Sequence, residues 1–114
     1  MDSPHPLALA RFYARLLDWD LSERSDDESA GISSGEGVAY IGFERIDDYA
    51  PPVWPGEPGR QQQMVHLSFE VSDLAQAVAH AIELGARLAA YQPLERTNTL
   101  LDPDGHPFCL YASE

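Results

Sequence analysis

Two runs of opposite periodicity stand back to back in the second half of the chain, and few architectures accommodate both. Val65, Leu67, Phe69 and Val71 alternate with His66, Ser68 and Glu70, the period-two pattern of a strand whose two faces meet different surroundings. Leu74, Val78, Ala81 and Ile82 then recur at helical spacing. Asp73 stands at the N-cap position with Gln76 three residues on, as in a capping box, and Gly85 ends the stripe. Further strands are predicted near Arg87 to Tyr91, Thr97 to Leu101 and Pro107 to Ala112. Asp102-Pro103-Asp104-Gly105 joins the last two, proline presetting φ and glycine free to take φ > 0. The resulting β-α-β-β-β order, one helix beside four strands, is an α+β module.

The first half repeats the plan less clearly. Leu9, Phe12, Tyr13, Leu16 and Leu17 fall at i, i+3, i+4, i+7 and i+8, the stripe of a helix that must cover a sheet. Pro4 and Pro6 suit a helix start behind Ser3 as a cap. A short strand is expected over Trp19 to Glu23, a polar hairpin or loop over Arg24 to Gly35, and a strand from Val38 to about Ile46. Asp47 to Gly59 carries Pro51, Pro52, Pro55 and Pro58, too many for a sheet interior, and reads as a connection. Ile41-Gly42-Phe43-Glu44-Arg45 corresponds to His106-Pro107-Phe108-Cys109-Leu110. Because the helix begins at once, this half lacks an opening strand, and a sheet short of one strand invites exchange with a partner chain or lowered stability.

Length suits a single domain of 114 residues, divided as module one 1–50, connection 51–64 and module two 65–114. Net charge is −12 from 19 acidic residues against 7 basic ones, all arginine, a field that repels phosphate backbones and anionic lipid and disfavours nucleic-acid and membrane partners. Cationic small molecules remain compatible with it. No apolar stretch approaches the ~20 residues of a membrane-spanning helix, and one cysteine, Cys109, fits a reducing, cytoplasmic setting.

Taken in order, His66-Leu67-Ser68-Phe69-Glu70-Val71-Ser72-Asp73, Leu84-Gly85-Ala86 and Asp102-Pro103-Asp104-Gly105, with Phe12-Tyr13 and Leu17-Asp18-Trp19 in the first half, resemble the vicinal-oxygen-chelate superfamily of glyoxalase, bleomycin-resistance and dioxygenase proteins. The resemblance spans nearly the whole chain and implies two βαβββ modules whose sheets curve round a cleft, and a homodimer. In the superfamily's enzymes the cleft holds a divalent metal that polarises adjacent substrate oxygens. Carried over, that implies His66 and Glu44 as metal ligands, whereas Cys109 occupies the second carboxylate position and the fourth position falls in the missing strand.

Candidate ligand-binding residues are therefore His66, Glu44, Cys109, Tyr40 and Trp54, the last in the proline-rich connection where an aromatic can close a cleft or anchor an interface. A thiolate is not a natural stand-in for a carboxylate around a hard ion, so the metal set is incomplete and no cofactor is the favoured expectation. The bland alternatives are a strand histidine bonded to a neighbour and a cysteine packed as a small hydrophobe. Ser68 near His66 lacks the glycine-flanked elbow of a serine nucleophile, and no phosphate-binding glycine loop occurs. The function expected is binding of a small organic molecule, cationic by charge complementarity and without metal catalysis. The alternative is a divalent-metal-dependent lyase, isomerase or dioxygenase.

Overall fold

The computed structural model describes residues 1–35 and 39–112. The chain forms two compact units, Met1–Tyr49 and Ala50–Glu114. In unit one, β1 (Asp2–Ser3), α1 (Pro6–Leu17), β2 (Asp20–Leu21), β3 (Ser29–Ser33) and β4 (Tyr40–Arg45) form a sheet of order β1-β4-β3-β2. Unit two holds β5 (Leu67–Val71), α2 (Leu74–Leu84), β6 (Arg87–Leu88), β7 (Thr97–Leu101) and β8 (Pro107–Ala112), ordered β5-β8-β7-β6. Each unit is thus a βαβββ module in which the opening strand runs parallel to the closing one and the other pairings are antiparallel. The α+β class and the two-module plan expected from the sequence are both present.

The opening strand of unit one, expected to be missing, exists as a two-residue stub. Asp2 pairs with Glu44 and Ser3 with Arg45, while the Met1 ammonium donates to the Gly42 carbonyl. Two residues cannot display an alternation, which is why the pattern in the sequence did not reveal them. The stub supplies from within the chain the strand that exchange with a partner was invoked to provide. Ser3 does not cap α1: its Oγ accepts from the His5 amide, and His5 takes the cap position without a side-chain bond.

Residues 24–35, expected to be loop or hairpin, contain β3. Ser29, Ala30, Gly31, Ile32 and Ser33 have weak strand propensity, but the strand lies inside the sheet between β2 and β4, and pairing on both sides decides its state. The expected strand start at Val38 lies outside the described residues. The expected strands at 19–23 and 87–91 shrink to two-residue edge strands.

Unit one's core joins Leu9, Phe12 and Tyr13 of α1 to Ile32 and Phe43, all nearly inaccessible, with the Tyr13 and Phe43 rings stacked at 5.9 Å. The corresponding core of unit two is lighter on its helix. Leu100, Phe108 and Leu110 are buried, but α2 buries only Ala81, and Ile82, expected in the stripe, is 47% exposed. Asp73 accepts from the Gln76 amide at 3.1 Å as the sequence predicts, and Gly85 ends the helix at φ 119°.

The 102–105 turn is tied from inside. Asp102, fully buried, accepts from the amides of Asp104 and His106 at 3.0 Å and from His106 Nδ1 at 2.9 Å, and Gly105 takes φ 90°. A Cβ there would come within 3.1 Å of Pro51. No described helix is long and apolar enough to cross a membrane.

Candidate functional site

Strand alternation separates two faces in unit two. Leu67 and Phe69 register with Phe108 and Leu110, and the Phe69 and Phe108 rings lie 6.3 Å apart on the apolar face. Ser68, Cys109 and Thr99 form a row across β5, β8 and β7 on the opposite face. His66 precedes β5 by one residue and Ser68 by two, so alternation turns it to this second face.

There a chain of side chains forms. His66 Nε2 lies 3.0 Å from Cys109 Sγ, and Nδ1 lies 2.8 Å from Gln63 Oε1. An amide oxygen only accepts, so Nδ1 carries the hydrogen and Nε2 presents its lone pair to the thiol, which donates. Partial burial pushes the His66 pKa below its ordinary value, and a neutral imidazole is the form this tautomer requires. Thr99 Oγ1 approaches Cys109 Sγ at 3.4 Å. Thr99 is itself clamped by Gln92, whose Oε1 accepts from the Thr99 amide at 2.8 Å and whose Nε2 donates to the Thr99 and Ala89 carbonyls. Gln63 and His66 meet because Met64 folds the backbone back at φ 59°, with the Val65 amide bonded to the Gln63 carbonyl at 2.6 Å.

Aromatic rings stand beside this chain. The Trp54 ring lies 5.9 Å from that of His66 and 6.0 Å from that of Tyr91, and its Nε1–H donates to the Tyr91 carbonyl at 3.2 Å. Tyr91 is 49% exposed. Three of the five residues singled out in the sequence, His66, Cys109 and Trp54, are thus brought together in one unit. Gln63, Thr99, Gln92 and Tyr91 complete the cluster; Gln63 sits in a polar run, Gln61-Gln62-Gln63, whose only sequence signal is its nearness to His66.

Glu44 and Tyr40 belong to unit one. Phe43 faces Tyr13 of α1, so Tyr40, Gly42 and Glu44 share the opposite face of β4. Glu44 Oε1 accepts from Ser29 Oγ at 3.2 Å. Tyr40, largely exposed, lays its ring over Gly31, where any Cβ would overlap its hydroxyl. Register supports the repeat: Glu44 opposes Asp2 in the β1–β4 pair as Cys109 opposes Ser68 in the β5–β8 pair.

Among the described residues no group of three or more His, Cys, Asp or Glu side chains is placed to hold a metal ion. The donors at His66 do not suit one either. Its two ring nitrogens are engaged by Gln63 and Cys109, and a thiol stands where a hard divalent ion would want a carboxylate. The residues present therefore do not fit the metal that the resemblance implied.

Solved structures with the same fold include a glyoxalase/bleomycin resistance protein/dioxygenase family enzyme from Burkholderia phytofirmans PsJN, 18% identical over 98% of this chain and 93% of that one, with a TM-score of 0.71. A protein from Agrobacterium tumefaciens solved in solution is 24% identical over 100% and 93% of the two chains, with a TM-score of 0.69. The fosfomycin resistance protein FosX from Listeria monocytogenes is 12% identical over 100% and 88%, also at 0.69. Comparison with curated protein sequences gives no match. The glyoxalase-like domain model matches residues 1–111, almost the whole chain, and with the two βαβββ modules this places the protein in the glyoxalase-like domain family of the vicinal-oxygen-chelate superfamily.

Proposed function

We propose that the protein binds a small organic molecule on the His66–Cys109–Trp54 face of its second unit and acts by sequestration, without metal catalysis. The observation that carries this is the aromatic group: Trp54 spans His66 and Tyr91 with its indole tethered, a preformed stacking surface beside a short polar chain. A net charge of −12 favours a cationic ligand, attracted electrostatically and stacked by cation–π contact. Relatives named as resistance proteins share the fold and are compatible with this activity. A homodimer belongs to the same proposal, and light scattering at micromolar concentration tests it.

Calorimetric titration with planar aromatic cations and cationic glycopeptides tests the binding. Saturable heat that weakens with added salt and falls on Trp54→Ala supports it. Absence of heat across the panel overturns it, and stoichiometric uptake of a divalent ion lost on His66→Ala would restore the metal-dependent lyase, isomerase or dioxygenase in its place.

A further inference from the structure

We propose that Cys109 is a nucleophile activated by His66, and that the site takes a soft electrophile, an α,β-unsaturated carbonyl compound, as a covalent adduct. This rests on the binding site proposed above and specifies its ligand class.

The geometry is a relay of three side chains within one unit. Gln63 Oε1 accepts from His66 Nδ1 at 2.8 Å, which leaves Nε2 as the acceptor 3.0 Å from the Cys109 thiol. A thiol is a weak nucleophile until a positioned base takes its proton, and nucleophile, base and an orienting third group in hydrogen-bond sequence are the arrangement that does so. Thr99 Oγ1, 3.4 Å from the sulfur on the neighbouring strand, is placed to donate to the thiolate as it forms. A cysteine packed merely as a small hydrophobe needs none of these partners.

The sulfur is soft, so it selects a soft acceptor carbon, and the ring surfaces of Trp54 and Tyr91 suit a flat conjugated molecule. In the addition, the S–H proton passes to His66 Nε2 and sulfur bonds to the β-carbon. The C=C π pair moves toward the carbonyl as an enolate, and the imidazolium returns the proton to the α-carbon. One S–C bond and one C–H bond form, one S–H bond and one C=C π bond break, and no oxidant or leaving group takes part.

Because Cys109 is only 6% exposed, burial alone would slow its labelling, so the sign of the effect is diagnostic. The probe is N-ethylmaleimide, itself an α,β-unsaturated carbonyl, with adduct formation followed by intact-protein mass spectrometry at neutral pH. The folded protein should label about tenfold or more faster than the same chain in guanidinium chloride, and His66→Ala should lose that advantage. Gln63 is a positioning residue: Gln63→Glu keeps an acceptor oxygen and should keep the rate, whereas Gln63→Leu should lower it while the fold, checked by circular dichroism, persists. Folded labelling slower than unfolded, or a rate indifferent to His66 and Gln63, overturns the proposal. Cys109→Ser should abolish the adduct, and the reversible site is tested separately on the unsubstituted protein: if no aromatic cation gives heat there while labelling stays fast and dependent on His66, the reversible site is refuted and the nucleophile stands.

Discussion

Asp102→Ala tests how the turn between β7 and β8 is held. Asp102 is fully buried and its carboxylate accepts from the amides of Asp104 and His106, both at 3.0 Å, and from the His106 ring at 2.9 Å. Alanine strands the His106 amide and imidazole away from water, at about 1–3 kcal/mol for each unsatisfied buried group, while the half-exposed Asp104 amide can be rehydrated at little cost. Relief of the carboxylate's own desolvation offsets part of this, leaving a net loss of about 2–4 kcal/mol. At about 4 °C per kcal/mol for a domain of this size, the melting temperature should fall by about 8–16 °C. Urea denaturation followed by circular dichroism measures the loss, and an Asp102→Ala/His106→Ala cycle should give a coupling above about 0.5 kcal/mol. A loss below about 1 kcal/mol with no coupling would refute the account of the turn as tied by a buried carboxylate.

Three other perturbations reach the rest of the molecule. Phe43→Ala, at a fully buried ring stacked on Tyr13, should cost about 3–5 kcal/mol in urea denaturation, and a loss under about 1 kcal/mol would show that unit one does not depend on that contact. For His66 the pKa is lowered in the folded protein from its ordinary 6.5, so the unfolded chain binds the proton more readily. Stability should therefore decline as pH falls through about 6.5 toward the folded pKa, and His66→Gln should flatten that part of the curve; an unchanged slope would contradict the burial of the ring. Trp54→Ala should weaken binding of an aromatic cation by about tenfold or more in calorimetry, and unchanged affinity would remove Trp54 from the site.

Where a segment carried its own periodicity, the sequence was enough. Phe69 and Val71 alternate because one sheet face is apolar, Asp73 and Gly85 announce the helix ends, and Thr97 to Leu101 and Pro107 to Ala112 form strands at the residues expected. Unit one was less legible because its strands are decided by pairing. Asp2–Ser3 is too short for a pattern, and the serine-flanked β3 is a strand because β2 and β4 flank it. Ile82 misled because it sits at helical spacing yet is left half exposed, α2 burying only Ala81.

The site divides the same way. His66, Cys109 and Trp54 could be singled out by residue type, and the superfamily resemblance supplied the positions of the first two. That His66 would be engaged by Gln63 and Cys109 could not be read, because Gln63 reaches it through a local backbone reversal at Met64 and Cys109 through the β5–β8 pairing. Hydrogen-bond partners set by register and by a left-handed residue leave no spacing in the sequence to find.

Native mass spectrometry of the protein as purified, without chelator, tests the central claim most directly, since a single spectrum reports subunit number, bound metal and any retained organic molecule. A metal-free dimer, with or without an organic adduct that Cys109→Ser or Trp54→Ala removes, is the predicted result. About one divalent ion per chain, lost on His66→Ala, would contradict the account and return His66 to the role of a metal ligand.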